Sequence, residues 1–151
     1  MLVIGDAAPN FVLLDSNGNQ FALANARGKK VILYFYPKDN TPGCTQEACD
    51  FRDQHQHFAQ HNALVIGISK DSAKSHKNFI HKHNLPFLLL TDPDGTVCTM
   101  YDVIKPGSMF GKSFLAIQRT TFLIDEQGHI AAIWPKVAVK HHVQAVLAQL
   151  T

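Results

Sequence analysis

Val31-Ile-Leu-Tyr-Phe-Tyr36, continued by Pro37-Lys-Asp-Asn-Thr41-Pro-Gly-Cys44, is the stretch whose reading decides the fold. Its first six residues are apolar or aromatic on both faces of an extended chain, the pattern of a central strand covered from both sides. The run ends at Pro37, which has no N–H to give a sheet ladder. Beyond it, Ala48, Phe51, His55, Phe58 and Ala59 fall on one face of a helix with about 3.6 residues per turn. That helix is expected to begin near Thr41. Threonine is a good N-cap, Pro42 suits the first helical position, and Glu47 lies near the positive end of the helix dipole.

The same alternation continues along the chain. Leu64-Val-Ile-Gly-Ile-Ser69 reads as a second buried strand, Ser72 to His83 as a polar-faced helix, and Phe87 to Leu90 as a third strand. Upstream, Phe11-Val-Leu-Leu14 and Phe21-Ala-Leu23 flank a turn containing Asn17-Gly18, a hairpin signal because the turn needs positive φ. Downstream come the turn Asp92-Pro-Asp-Gly95, a short helix from Thr96 to Tyr101, and a loop from Val103 to Ile117. Thr120 to Ile124 and His129 to Trp134 form a hairpin, and Val139 to Leu150 a helix with Val143, Val146, Leu147 and Leu150 inward. This order predicts an α/β fold, a mixed central sheet flanked by helices, with an N-terminal β-hairpin.

Length and composition exclude several classes of function. With 151 residues, 46% apolar and 17% charged, the chain suits one domain, residues 1–151, burying roughly 70% of its unfolded surface. Its apolar runs fall far short of the roughly 20 residues a membrane span requires. Met1-Leu-Val-Ile-Gly-Asp6 has no basic segment of a secretory signal, so a cytoplasmic protein without a membrane partner is expected. The net charge of +2 arises from interleaved residues, which is poor material for a nucleic-acid surface. Three cysteines in a reducing compartment point away from a disulfide scaffold and toward thiol chemistry, metal binding or simple burial.

Several motifs can be set aside on spacing. Gly107-Ser-Met-Phe-Gly-Lys-Ser113 has three residues between its glycines where a phosphate loop has four. His57 and His61 stand at i, i+4 but bracket the apolar face, and are read as solvated. The pairs His81/His83 and His141/His142 do not face one another on a helix. Cys44 and Cys49 are too far apart for a C-x-x-C redox motif, and zinc would need Cys98 and a distant histidine as well. Cys44 itself falls in the first helical turn, where unpaired N–H groups and the dipole favour an anionic sulfur. Gly43 just before it marks a backbone that something approaches closely.

Pro37-x-x-x-Thr41-x-x-Cys44 resembles the P-x-x-x-T-x-x-C signature of peroxiredoxins. Thr45-Gln-Glu-Ala-Cys49 is similar to the bacterioferritin comigratory protein, or Q-type, subfamily. The likeness extends from Gly5-Asp-Ala-Ala-Pro-Asn-Phe11 through Ser69-Lys-Asp71 and Leu90-Thr-Asp-Pro93 to Arg119-Thr-Thr-Phe-Leu-Ile-Asp125. The resemblance implies a thioredoxin-like fold and a thiol-dependent peroxidase, with Cys44 as peroxidatic nucleophile and Cys49 as resolving thiol in an intramolecular disulfide. It further implies that Thr41 and Arg119 activate the peroxide, that Pro37 shields the sulfur, and that the N–H groups of Gly43 and Cys44 add donors. Glu47 would hold the Arg119 fork in place. Cys98 would be a buried spectator or a second-choice resolver. No cofactor and no metal are implied; the reductant would be thioredoxin or a glutaredoxin-type donor, the substrates peroxides, and the protein a monomer. Two other readings stay open, a non-enzymatic thiol switch and a zinc-binding module.

Overall fold

The computed structural model describes residues 1–150. Strands β1 (Val12–Asp15) and β2 (Gln20–Ala22) form the N-terminal hairpin and lead through a 3-10 turn, Leu23–Ala26, to β3 (Lys30–Phe35). There follow α1 (Pro42–Asp53), α2 (His55–Gln60), β4 (Ala63–Ser69), α3 (Ala73–His83), β5 (Leu88–Thr91) and α4 (Thr96–Met100). A ribbon of β6 (Ile104–Met109) and β7 (Lys112–Ile117) precedes β8 (Thr120–Ile124), β9 (Ile130–Trp134) and α5 (His142–Ala148). Seven strands form one sheet in the order β2-β1-β5-β4-β3-β8-β9. β3, β4 and β5 run parallel, and β8 lies antiparallel against β3. The mixed sheet and the N-terminal hairpin are those expected from the sequence, and among the described residues no helix is long and apolar enough to cross a membrane.

β3 is buried along both faces because two separate cores meet on it. Val31, Leu33 and Phe35 pack on one side with Phe11, Val97, Cys98 and Tyr101. Ile32, Tyr34 and Tyr36 pack on the other with Cys44, Ala48 and Phe51 of α1, Phe79 of α3 and Val146 of α5. Alternation along one strand thus assigns each side chain to a layer. It also puts Cys44 and Cys98 on opposite sides of the sheet.

Three expectations are corrected. The helix predicted to run from Thr41 through Ala59 breaks at Gln54, whose backbone (φ −105°, ψ 8°) leaves helical geometry. The break swings Phe58 onto Phe51, ring centroids 5.7 Å apart, and turns Ala59 out to solvent. The predicted loop from Val103 to Ile117 is the β6–β7 ribbon, whose tip residues Phe110 and Gly111 both have positive φ, 54° and 77°. Its turn is of the kind that closes two-residue hairpins, disguised by Phe-Gly where Asn-Gly is usual. Pro106 is tolerated because each strand of a two-stranded ribbon has an open edge. The last helix is shorter than predicted, starting after His141, whose left-handed backbone (φ 65°) cannot continue a helix.

Gly67 shows how tightly the α1 side of the sheet is packed. A Cβ there would lie 2.7 Å from Leu89 Cδ2 and 2.9 Å from Tyr34 Cζ. Gly67→Ala is expected to lower stability by about 1–3 kcal/mol in urea denaturation, through overpacking. An unchanged midpoint would mean that the Tyr34 ring moves aside freely.

Candidate active site

The local sequence opens α1 in an unusual way. Thr41 occupies the N-cap position with extended backbone, yet its side chain makes no cap bond; its hydroxyl donates to the Lys38 carbonyl at 2.8 Å instead. Pro42 has no N–H to satisfy, so the first-turn N–H groups of Gly43 and Cys44 receive no side-chain oxygen. Asn40, at φ 62°, makes the turn that aims the chain into the helix. Cys44 follows in the first turn, only 2% exposed, as the capping argument anticipates.

Sheet register delivers the arginine. Phe35 of β3 pairs with Thr120 of β8, so Arg119 stands one position further, level with the C-terminal end of β3 where the chain turns into Pro37. Its Nη2 donates to Cys44 Sγ at 3.4 Å and its Nη1 to Glu47 Oε1 at 2.7 Å. A Cβ on Gly43 would lie 3.1 Å from Arg119 Nη2. The guanidinium is therefore what approaches the glycine. Burial works against its charge, but Glu47 and Cys44 outweigh that and raise its pKa. An arginine that is always ionised thus holds a fixed cation beside the sulfur.

Glu47 differs from the dipole partner that the sequence suggests. It sits in the second helical turn and is fully buried. Arg119 holds one of its oxygens, while Oε2 has no hydrogen-bond partner among the described residues. Burial raises its pKa to about 7, against the pull of Arg119. The desolvation of the unpaired oxygen is the larger effect.

The other predicted residues are placed as follows. Pro37 is exposed at the end of β3, and Thr41 is half-buried beside it. Cys49 lies half-buried on α1, and all three cysteines are free thiols. Cys98 is buried in α4, its N–H bonded to Asp92 Oδ2 at 2.8 Å, and burial raises its pKa strongly. It belongs to the core beyond the sheet, so it shares no ligand geometry with Cys44. Among the described residues the imidazoles of His57 and His61 bond to Gln54 and to the His57 carbonyl, and His57 is exposed.

Two histidines are placed where spacing along the chain gives no sign of them. His142 is buried against Thr121, with Nε2 2.8 Å from the hydroxyl, and burial lowers its pKa to about 4. His76 bridges Asp39 Oδ2 (2.7 Å) and the Leu90 carbonyl (3.1 Å), while Tyr36 and Ser75 also donate to Asp39. The Asp39 N–H in turn reaches Asp71 Oδ2 at 2.8 Å. This network pins the segment from Pro37 to Thr41 against β4, α3 and β5. Donor atoms of Asp39, Asp71 and His76 lie within 4.8 Å of one another, a spacing a metal could use, but they are already engaged, Asp39 with His76 and Asp71 with the Asp39 N–H and the Ser69 hydroxyl.

The Glu47 carboxyl gives a pH test. Its folded pKa near 7 exceeds the ordinary 4.5, so the folded chain holds that proton more tightly than the unfolded one. The resulting stabilisation is complete below the lower value and is lost as pH rises through the higher. Lowered His142 acts in the opposite direction and is common to both proteins in a comparison. Glu47→Gln should therefore lose less of its urea midpoint than the parent between about pH 5 and pH 8. Identical pH dependence would mean that Glu47 is ionised throughout.

Comparison with known proteins shows the family to which the chain belongs. Residues 4–133 match the AhpC/TSA family. The putative peroxiredoxin Bcp of Coxiella burnetii is 53% identical over 97% of both chains. Peroxiredoxin Bcp of Bacillus subtilis is 49% identical, over 97% of this chain and 94% of its own. The structure of Xanthomonas campestris peroxiredoxin Q superposes with a TM-score of 0.91 at 42% identity, covering 99% of this chain and 95% of that one. A Xylella fastidiosa PrxQ mutant does so at 0.93 and 38%, covering 99% and 96%. Another similar structure concerns the alkyl peroxide reduction activity of the Xanthomonas campestris bacterioferritin comigratory protein, 41% identical with a TM-score of 0.91 and coverage of 99% and 96%. A buried cysteine at a helix start, held by an arginine from the neighbouring strand, thus occurs in a chain that belongs to the AhpC/TSA family, as a thiol-dependent peroxidase of the Bcp, or Q-type, peroxiredoxins.

Proposed function

We propose that this chain, a single thioredoxin-like domain over residues 1–151, reduces hydrogen peroxide and organic hydroperoxides through Cys44 and recycles by a Cys44–Cys49 disulfide. The observation that carries the reading is the Cys44 sulfur, buried in the first turn of α1 and 3.4 Å from Arg119. In the first step the thiolate attacks the near oxygen of the peroxide, the O–O bond breaks, and negative charge grows on the leaving oxygen. Arg119 and the Gly43 and Cys44 N–H groups meet that charge. Thr41, whose hydroxyl donates to the Lys38 carbonyl, accepts a hydrogen bond from the peroxide hydroxyl, and Pro37 limits water at the sulfur. Glu47 sets the guanidinium. The alkyl peroxide chemistry of the Xanthomonas relative supports organic hydroperoxides as substrates here.

Cys49 then attacks the sulfenic acid of Cys44, releasing water and forming the disulfide. Five residues along an ideal helix separate Cα atoms by roughly 8.7 Å, whereas disulfide Cα atoms rarely lie more than about 7 Å apart. At least the turn carrying Cys44 must therefore unwind, and its Pro42-Gly43 start adds little helix stability. Thioredoxin, or a glutaredoxin-type donor, then reduces the disulfide. We assign the protein to the cytoplasm as a monomer that needs no cofactor or metal and has neither nucleic acid nor membrane as a partner.

A steady-state assay with thioredoxin, its reductase and several peroxides tests this. Many equivalents of peroxide should be consumed, whereas a sensor would stop after one. Cys44→Ser should abolish turnover, and Arg119→Ala should slow the reaction with peroxide by about 10²–10³-fold, the usual cost of one oxyanion donor. A near-normal second-order rate would remove Arg119 from the chemistry. Amide hydrogen exchange from Thr41 to Phe51 should show protection in the reduced protein and its loss on oxidation. Equal protection, with the Cys44–Cys49 bond mapped, would defeat the unwinding argument.

A further inference from the structure

Cys49 does not stand alone on its face of α1. Its Sγ lies 3.9 Å from Nδ1 of His83, in the last turn of α3. The imidazole is set by two contacts, an edge-on packing against Phe79 with centroids 5.3 Å apart and a bond from Arg52 Nη1 to the His83 carbonyl at 2.9 Å. Arg52 thus ties the C-terminal half of α1 to α3. The N-terminal half of α1 has no side-chain cap. The two halves are thus held by different partners, the first turns by Arg119 through Cys44 and Glu47 and the later ones by α3.

We propose that His83 is the general base that ionises Cys49 for its attack on oxidised Cys44, an inference that rests on Cys49 being the resolving thiol. The Cys49 proton passes to His83 Nδ1, the neutral ring carrying its own proton on Nε2. The thiolate pair then forms the S–S bond as the S–O bond of the Cys44 sulfenic acid breaks. Hydroxide leaves with the S–O electrons and takes the proton from His83 to become water. Cys49 sulfur is oxidised and Cys44 sulfur reduced, with no further reagent. The anchored half of α1 keeps Cys49 beside its base while the released turn carries Cys44 to it. Arg52 lies next to His83 through its bond to the His83 carbonyl, and Asp53 of α1 pairs with that guanidinium at 3.0 Å.

The test separates the two chemical steps in the full-length protein. One equivalent of peroxide is added, the sulfenic acid is labelled at intervals with a cyclic diketone, and the disulfide is mapped by peptide mass. A free thiol is only a few per cent ionised near pH 7. In His83→Ala, decay of the sulfenic acid should therefore slow by about tenfold to thirtyfold at that pH. Added imidazole should restore much of the rate, and the difference between the proteins should vanish above about pH 9, where thiols ionise unaided. His83→Gln, which preserves bulk, should be as slow as His83→Ala. A native rate in His83→Ala, or a slowing that neither imidazole nor high pH relieves, would overturn the role of His83. Failure to find a Cys44–Cys49 bond in the parent protein would instead overturn the reading of Cys49, and this inference with it.

Discussion

The guanidinium of Arg119, lodged between the sulfur of Cys44 and the carboxylate of Glu47, is the contact on which the rest of the site depends. It joins the start of β8 to the first two turns of α1, elements more than seventy residues apart in sequence. A half-buried cation is costly unless paired, and Glu47 supplies the pair from the same helix as Cys44. The pair is deliberately incomplete: only one carboxylate oxygen is bonded, and burial lifts the pKa of Glu47 to about 7. Because Arg119 stays charged, the field at the sulfur survives whichever state Glu47 occupies.

Around this contact the protein divides rigid parts from movable ones. The segment entering α1 is pinned by the buried Asp39–His76 network, which reaches three other elements. The far half of α1 is held by fully buried Phe51 and by Arg52 on α3. Between them lies Gly43, apart from proline the residue least able to sustain a helix. The fold thus places its least helix-favouring residue in the one turn whose release the proposed disulfide would require, with support on both sides of it. Gly43 serves twice, since the same missing side chain also admits the guanidinium.

The layering of the sheet separates the cysteines in a way that counting along the chain does not. Sheet layers pack about 10 Å apart. Cys98 is separated from Cys44 by the sheet itself, while Cys49 shares a helix with it. A zinc site drawing on Cys44, Cys49 and Cys98 together is incompatible with this arrangement.

Much of this was legible in the residues alone. The buried character of Val31 to Tyr36, the helix start at Thr41-Pro42 and the first-turn position of Cys44 follow from local rules, because strand burial, capping and the orphan N–H groups of a helix depend on near neighbours in sequence. The break at Gln54 and the β6–β7 ribbon escaped those rules, since packing of Phe58 on Phe51 and ribbon pairing override local periodicity. Only the tertiary structure decided that Glu47 is buried rather than solvated, that Thr41 bonds Lys38 rather than capping its helix, and that His76, His83 and His142 each meet a partner far along the chain. Interactions of that kind are set by which elements the sheet brings together. Sequence spacing carries no trace of them until the register of β3 with its neighbours is known.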